Sequence, residues 1–461
     1  MFEAATYTQR RSRLMQSVKD GVVLILGNEE SPMNYLENQY SFRQDSNFLY
    51  YCGIDQPMLA LLLDVETGDT ILFGNELSLI EVVWMGPQPS LVEQAAKVGI
   101  TEVQQYDLLA EVLESIRHQG RTIHFTPPYR MENSVKLHQW LHIPLADLAD
   151  RASVRLIQAI VAQRSIKTDA ELAELTQAIN ITRAMHVAVM QQAKPGMNEA
   201  HLAGIATGIA VAGGGNLAYP VILTTRGHIL HNHVHSHNIH EGQMVLADMG
   251  AETASHYAGD ITRTFPVSKT FTTQQKEIYQ LVLDVQLAAI AAMRPGVLYQ
   301  DVHMLVARQI IEGLKGMGLM YGDTDEALAA GAVGLFFPHG LGHMQGLDVH
   351  DMEDLGEVHT GYRPGLERSQ LFGYRSLRFG KELETGMVLT VEPGVYFNPP
   401  LIDSWQQEGK FTQFIRYDRL GAYRDFTGVR LEDNVAITTD GNQVLGDHIP
   451  KTIAEVEALR Q

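Results

Sequence analysis

Acidic residues lie within or directly after apolar segments in the C-terminal half of the chain, and this combination restricts the folds that the chain can adopt. Met244–Ala247 is an apolar run followed by Asp248, and Met387–Val391 is another, followed by Glu392. Asp260 lies in "AGDITRTF", where a return strand would bring it beside Asp248. Burying a carboxylate is costly unless its charge is compensated. A fold that buries these runs must therefore also supply cations.

Two further segments add candidate ligands. "FFPHGLGHMQGLDVHD" contains His339, His343 and His350 among glycines that allow a close approach of the backbone. "TGVRLEDNVAIT" alternates with a period of two, which predicts a strand. Its two faces would carry Val429, Leu431, Val435 and Ile437 on one side and Arg430, Glu432 and Asn434 on the other.

Each of these residues also has an ordinary structural interpretation. An aspartate at a strand end, such as Asp248, commonly forms a turn, and Glu392 before Pro-Gly could be a loop residue. Glu432 and Arg430 could form a surface ion pair, and the histidines could be structural. The conjunction of four acids with a histidine favours a metal site instead, because two divalent cations would balance four carboxylates. Oxygen-rich ligation with one imidazole suits Mn²⁺ better than a metal that prefers thiolates.

The length of 461 residues predicts two domains. Apolar runs at 21–27 and 58–65 alternate with helical patterns at 90–100 and 107–120, which predicts an α/β domain. Thr168 or Asp169 can cap the next long helix, whose apolar face would carry Leu172, Leu175, Ala178 and Ile179. We therefore place the boundary near residue 165, with an N-terminal domain over 1–165 and a second domain over 166–461.

Composition narrows the class of protein. The formal net charge of −19 argues against a nucleic-acid partner and against an anionic membrane surface. The single cysteine, Cys52, fits a reducing compartment. No signal-peptide core and no long apolar segment is found. We expect a cytoplasmic protein.

The second domain contains a faint internal repeat. "KPGMNEAHLAGIATGIA" begins a helix after Pro195-Gly196, and "RPGVLYQDVHMLVARQII" begins one after Pro295-Gly296. Such a repeat could indicate two related halves. By itself it is weak, because Pro-Gly before a helix is common.

The motifs "DMG…GDITRTFP", "PHGLGH…LDVHD", "MVLTVEPGVYF" and "GVRLEDN", in this order, resemble those of the pita-bread metallopeptidases, and more narrowly their prolidase and aminopeptidase P branch. The resemblance covers residues 165–461 and extends loosely to the N-terminal domain through "SFRQDSNFLYYCGI". It implies an α/β N-terminal domain of the aminopeptidase P type, followed by an α+β pita-bread catalytic domain with pseudo-two-fold halves. It also implies two divalent metal ions, Mn²⁺ above all, with Co²⁺ or Zn²⁺ as alternatives. The metal ligands that it implies are Asp248, Asp260, His343, Glu392 and Glu432, with Asp260 and Glu432 bridging the two ions.

One spacing departs from the family pattern. Asp260 follows Asp248 by twelve residues, one more than expected, and the extra residue lies in "ETASH". A hairpin turn or a bulge could absorb it. Otherwise Asp260 would point to the wrong face of the strand.

The stretch 227–240 contains six histidines in fourteen positions. On a strand, the four at 231, 233, 235 and 237 would form one stripe, and a histidine-rich tract is a compositional hint of metal binding. The resemblance instead makes His231 a substrate-binding residue beside the metals. We expect the others to lie on a solvated hairpin or to line the mouth of the site: His228, His233, His235, His237 and His240.

The resemblance implies hydrolysis of the bond between an N-terminal residue and proline in a di- or oligopeptide. The catalytic residues would be Glu392, His231 and His350, and substrate would bind through His231, His339, His350, Arg378 and Arg430. "YRSLRFG" resembles the prolidase form, in which Arg378 binds the carboxylate of a dipeptide, and this favours a dipeptidase. A surface or dimer-contact role for Arg378, an aminopeptidase P acting on longer peptides, and a non-catalytic binding module remain alternatives. A homodimer or higher homo-oligomer, paired through the N-terminal domain, is expected.

Overall fold

The structure is a computed structural model that describes residues 2–460, and the chain divides into two compact units. The first unit contains the chain up to Arg164 together with residues 354–359. The second contains residues 165–353 and the chain from Thr360 onward. Among residues 2–460, no helix combines the length and the apolar character that crossing a bilayer would require.

A mixed five-stranded sheet forms the centre of the first unit. Its strands are β1 (Val22–Leu26), β2 (Ala60–Asp64), β3 (Thr70–Phe73), β4 (Glu102–Gln104) and β5 (Ile123–His124), in the order β4-β3-β2-β1-β5. Its helices are α1 (Ala4–Val18), α2 (Ser46–Tyr51), α3 (Leu79–Met85), α4 (Leu91–Lys97), α5 (Leu109–His118), α6 (Met131–Leu141), α7 (Leu148–Arg151) and α8 (Val154–Arg164). β1 and β2 are antiparallel and apolar, and their buried side chains form the core of the unit.

The second unit begins with the predicted long helix. Its helices are α9 (Asp169–Gln192), α10 (Glu199–Ala212), α11 (Thr273–Ala292), α12 (Tyr299–Gly316), α13 (Thr324–Ala330), α15 (Pro399–Gln407), α16 (Tyr417–Leu420) and α17 (Ile453–Leu459), while α14 (Glu357–Thr360) lies where the chain returns to this unit. Thr168 caps α9 through a capping box with Glu171, as the sequence predicts. Leu175, Ala178 and Ile179 are buried on the predicted apolar face.

The strands of the second unit form short antiparallel sheets. They are β6 (Asn216–Leu217), β7 (Ile222–Thr224), β8 (Met244–Met249), β9 (Ala251–Glu252), β10 (Ile261–Pro266), β11 (Val388–Val391), β12 (Gly394–Tyr396), β13 (Gly428–Arg430), β14 (Asp433–Ile437) and β15 (Asn442–Val444). The sheet orders are β10-β8-β7, β11-β14-β15, β12-β13 and β6-β9.

The internal repeat is visible in the backbone as two similar halves. After α9, Gly196 donates its N–H to Ile239 O at 2.8 Å, and after α11, Gly296 donates to Leu383 O at 2.8 Å. Both glycines have φ near +85°, which favours glycine at these turns. Each half therefore consists of a long helix, a Pro-Gly turn, a second helix and a hairpin of strands.

The hairpin β8–β10 absorbs the extra residue between the two aspartates in its turn. Asp248 pairs with Thr262, and the same register continues to the bridge between Glu252 and Ala258, so the two strands contain no bulge between these points. Residues 254–256 close the turn, with His256 in the left-handed region at φ +67°. Asp248 and Asp260 consequently lie diagonally on the same face of the hairpin.

The second hairpin brings two glutamates together. β11 pairs with β14 and β12 with β13 in one continuous register, from Val391 opposite Asp433 to Gly394 opposite Arg430. Two residue pairs separate these strand pairs, and in the same register Glu392 lies opposite Glu432. Like charges directly opposite each other destabilise a sheet, so this pair needs cations nearby.

Candidate functional site

The two hairpins meet along β10 and the strand segment that contains Glu432. Glu432 donates its backbone N–H to Thr262 O at 3.0 Å, and the hydroxyl of Thr262 donates to Glu432 Oε2 at 2.7 Å. The amide of Asn434 donates to Asp260 O at 2.8 Å and accepts from Asp260 N at 3.2 Å. This antiparallel contact brings the acids of both hairpins into one cluster.

The metal-ligand residues named in the sequence analysis lie within this cluster. His343 Nε2 lies 3.4 Å from Asp260 Oδ2 and 3.5 Å from Glu392 Oε1. Asp260, His343 and Glu432 each offer one ligand atom, and these atoms lie within 4.8 Å of one another. The hydroxyl of Tyr219 lies 2.6 Å from Asp248 Oδ1 and 2.5 Å from Asp260 Oδ1.

Burial makes this cluster electrostatically unfavourable without cations. Burial raises the pKa of Asp248, raises that of Glu392 to about 7, and raises that of Glu432 well above its ordinary value, the last with added repulsion from Asp260. Burial also opposes the ionisation of Asp260, but hydrogen bonds from His343 and Tyr219 outweigh it and lower the pKa of that carboxyl. Glu432 Oε1 is buried and has no hydrogen-bond partner. The donor set therefore fits divalent cations bound through oxygen and one imidazole.

Arg430 lies beneath the cluster and is almost fully buried. Its guanidinium donates to Asp248 Oδ2 at 2.5 Å, to the Tyr396 hydroxyl at 2.8 Å and to Thr262 Oγ1 at 3.1 Å. The surface ion pair with Glu432, one interpretation open at the sequence level, is wrong, because Arg430 is buried and pairs with Asp248. A contact of Arg430 with substrate stays a prediction.

Two histidines flank the ligand cluster, and burial lowers the pKa of each ring below its ordinary value. The ring of His350 packs 4.1 Å from that of His343, and burial lowers the pKa of His350 to about 4. His339 lies 3.8 Å from Glu392 Oε2 through Nδ1 and 2.8 Å from the Tyr396 hydroxyl through Nε2. Burial lowers its pKa to about 3.

The histidine-rich tract is a loop and not a strand, so the four alternate histidines do not form a stripe. His231 is exposed, although partial burial lowers its pKa, and the charges of Asp248, Arg430 and Arg378 act on it. Its ring lies 6.4 Å from that of His233. His235 and His237 bind Val221 O and Glu199 respectively. The tract therefore flanks the acidic cluster.

Arg378 lies in the second unit with Glu353 as its partner. The guanidinium Nη1 of Arg378 donates to Glu353 Oε1, and the other oxygen of Glu353 lies 2.6 Å from His350 Nδ1. All three side chains are partly exposed. A carboxylate of the protein thus links the two residues that the sequence analysis assigns to substrate binding.

Several residues of the site were not identified from the sequence. Tyr219 reaches the site from a distant part of the chain, whereas Glu353 follows His350 by three residues, and no local pattern marks either of them. Thr262 could have been noticed, because it shares the strand face of Asp260 in "GDITRTF". Tyr396 lies within "VEPGVYF" and binds both Arg430 and His339.

Comparisons with known proteins identify relatives of this chain. The family described as metallopeptidase family M24 matches residues 173–439, and the domain described as aminopeptidase P, N-terminal domain, matches residues 7–124. The chain is 34% identical to the human Xaa-Pro dipeptidase over 97% of this chain and 90% of that protein. It is also 34% identical to a probable Xaa-Pro aminopeptidase of Fusarium vanettenii, over 91% of this chain and 87% of that protein.

Solved structures show the same similarity. The Pseudomonas aeruginosa aminopeptidase PepP aligns with a TM-score of 0.82 and 28% identity, covering 100% of this chain and 98% of that one. A zinc-substituted Escherichia coli aminopeptidase P in complex with product aligns with a TM-score of 0.81 and the same identity and coverage.

Proposed function

This chain belongs to metallopeptidase family M24, and we propose on that basis that it is a metal-dependent exopeptidase that hydrolyses the bond between an N-terminal residue and proline. The membership confirms the resemblance that the motifs indicate, including an N-terminal domain ahead of a pita-bread domain with two similar halves. One observation carries the proposal. Ligand atoms of Asp260, His343 and Glu432 lie within 4.8 Å of one another, with Glu392 3.5 Å from His343 and Asp248 joined to Asp260 through the Tyr219 hydroxyl.

In this proposal the cluster holds two divalent ions, with Mn²⁺ preferred and Co²⁺ or Zn²⁺ as alternatives. Asp260 and Glu432 would hold both ions, Asp248 would hold one of them, and His343 and Glu392 would hold the other. Bound metal ions supply a Lewis acid for the scissile carbonyl and lower the pKa of a coordinated water. The unpartnered Glu432 Oε1 and the raised pKa values of the acids support this assignment.

The chain's own residues bind the substrate and move its protons. Glu392, whose carboxylate lies 3.5 Å from His343 Nε2 at the edge of the cluster, is suited to accept a proton and to deliver it to the nitrogen of the leaving proline. His231 and His350 hold the carbonyl oxygen from the open side. His339, fixed by Tyr396, shapes the pocket. Proline is recognised without an amide N–H, because its peptide bond has none.

The relatives include both dipeptidases and aminopeptidases, and the "RSLR" segment favours a dipeptide as substrate of this chain.

The acidic chain makes nucleic acid and anionic membranes poor partners. We also propose a cytoplasmic homodimer or higher homo-oligomer with the domain boundary near residue 165. Exposed apolar residues of α3 support this pairing: Leu79, Ile80, Val83, Trp84 and Met85.

The proposed function is tested by hydrolysis of Ala-Pro and Ala-Pro-Ala in the presence of Mn²⁺, with Ala-Ala as a control substrate. We expect release of alanine only from the proline peptides. Metal analysis should give two ions per chain, and Glu432→Gln should lose both the metal and the activity. An equal rate with Ala-Ala, or full activity after chelation, would contradict the proposal.

A further inference from the structure

Glu353 lies between the two residues of the site that face a bound peptide in the proposed function. Its Oε1 accepts from Arg378 Nη1, and its Oε2 lies 2.6 Å from His350 Nδ1. Its side chain is 39% exposed, so it lies at the open side of the site and not among the buried acids. The short helical turn after His350 brings it there.

The negative charge of Glu353 neutralises the positive charge of Arg378. Arg378 is the residue that would bind a free carboxylate of the substrate. Hydrogen bonding from His350 and the charge of Arg378 lower the pKa of Glu353 to about 2, so it is ionised at neutral pH. The carboxylate of Glu353 thus balances the guanidinium of Arg378, and an added carboxylate would give this pair a net negative charge.

We propose that Glu353 is a specificity-determining residue, a built-in competitor that occupies Arg378 and weakens the binding of substrates whose proline carries a free carboxylate. The inference rests on the proposed function, since it concerns the same site and the same class of peptide. Substrates with an amide after proline bring no second negative charge. Glu353 thus sets the preference between a dipeptide and a peptide extended beyond proline.

The competing interpretation is that Glu353 only positions Arg378 and His350. The two interpretations predict opposite results for Glu353→Gln. Glutamine keeps one oxygen that can accept from His350 Nδ1–H or from Arg378, so one of the two contacts is retained while the charge is lost. If Glu353 competes for Arg378, loss of its charge should strengthen binding of the substrate carboxylate. If Glu353 only positions Arg378 and His350, the substitution should weaken that binding.

The experiment compares Ala-Pro with Ala-Pro-NH2, which differ only in the free carboxylate. In the Mn²⁺-loaded enzyme, Glu353→Gln should lower the KM for Ala-Pro about 3–5-fold, the effect expected for one partly exposed charge pair. The KM for Ala-Pro-NH2 should change much less, so that the ratio of the two KM values shifts in favour of Ala-Pro. A raised KM for Ala-Pro, or equal changes with both substrates, would overturn the inference.

Two further variants identify the partner. In an Arg378→Gln background, Glu353→Gln should no longer change the KM ratio of the two substrates, because no cation remains to be released. Glu382→Gln is the matched control, since Glu382 pairs with Arg363 at comparable exposure. It should leave both substrates unaffected.

A binding measurement separates failure of this inference from failure of the proposed function. Calorimetric titration of the Mn²⁺-loaded enzyme with proline and with prolinamide needs no turnover. Glu353→Gln should bind proline about 3–5-fold more tightly and prolinamide equally. If the wild type cleaves no proline peptide, the proposed function fails, and the titration alone decides the role of Glu353. If Glu353→Gln did not bind proline more tightly than the wild type does, the role of Glu353 as a competitor would be refuted.

Discussion

At the scale of single residues, buried carboxylates outnumber buried cations at the proposed metal centre. Asp248, Asp260, Glu392 and Glu432 are gathered around one arginine, Arg430, whose contacts go to Asp248, Tyr396 and Thr262. The remaining repulsion appears as raised pKa values of three of the acids. The cluster is thus poorly suited to stabilise the fold, and well suited to hold cations.

This imbalance predicts how the stability of the metal-free protein depends on pH. Glu392 has a folded pKa of about 7 against an ordinary value of 4.5, so its contribution to stability is present below about pH 4.5 and is lost as the pH rises through 7. Glu432 acts in the same direction. We expect thermal unfolding in chelator to show this loss between pH 5 and 8, and Glu432→Gln to raise the Tm at pH 8 by roughly 3–8 °C.

Saturating Mn²⁺ should remove the loss in the wild type and leave the variant unchanged, because the variant lacks a ligand. Glu367→Gln, at an exposed surface position, is the control and should follow the wild type throughout. A pH-independent Tm of the metal-free wild type, or a Glu432→Gln protein that is destabilised at pH 8, would contradict the prediction.

At the scale of elements, the hairpins were largely predictable from the sequence and their mutual contact was not. The apolar runs before Asp248 and Glu392 form β8 and β11 because such runs are buried, and the capping box at Thr168 starts α9. The segment "TGVRLEDNVAIT" forms strands in which apolar and polar side chains alternate, as predicted. Both faces are buried, because β10 covers the face with the polar side chains. Contacts such as Tyr219 with Asp248, or Glu353 with Arg378, join distant segments, and local periodicity contains no information about them.

The loop between Thr225 and His237 owes its shape to one buried carboxylate. Glu199, in the first turn of α10, accepts from Thr225 N at 2.7 Å and from Thr225 Oγ1 at 3.0 Å, and lies 3.2 Å from His237 Nδ1. Both ends of the loop are therefore held by the same side chain. His231 lies in the loop between these two contacts.

We expect Glu199→Gln to loosen this loop without unfolding the protein. Glutamine offers one acceptor oxygen in place of two, so the anchor at Thr225 or the anchor at His237 is lost. Hydrogen exchange should become faster across residues 226–236, and kcat/KM for Ala-Pro should fall about tenfold through displacement of His231. Glu241→Gln, at an exposed position beside the loop, is the control. Unchanged exchange in the Glu199 variant would refute the anchoring role.

At the scale of the whole molecule, the first unit presents an apolar helix without a buried residue. α3 begins with a capping box at Ser78, which specifies it as a helix in spite of its exposure. Val83 and Trp84 are 76% and 83% exposed. Contiguous apolar surface of this kind indicates a protein–protein interface, and the proposed pairing of two copies through the N-terminal domain would cover it.

The oligomeric state of the holoenzyme tests this pairing. We expect light scattering after size exclusion to give at least twice the chain mass of 51.2 kDa for the wild type. The double substitution Val83→Glu with Trp84→Glu should shift the mass toward a single chain, because two charges would then be buried on each side of the interface. Val211→Glu, at an exposed apolar position on α10, should leave the mass unchanged. A monomeric wild type, or a double variant of unchanged mass, would mean that α3 does not join the chains.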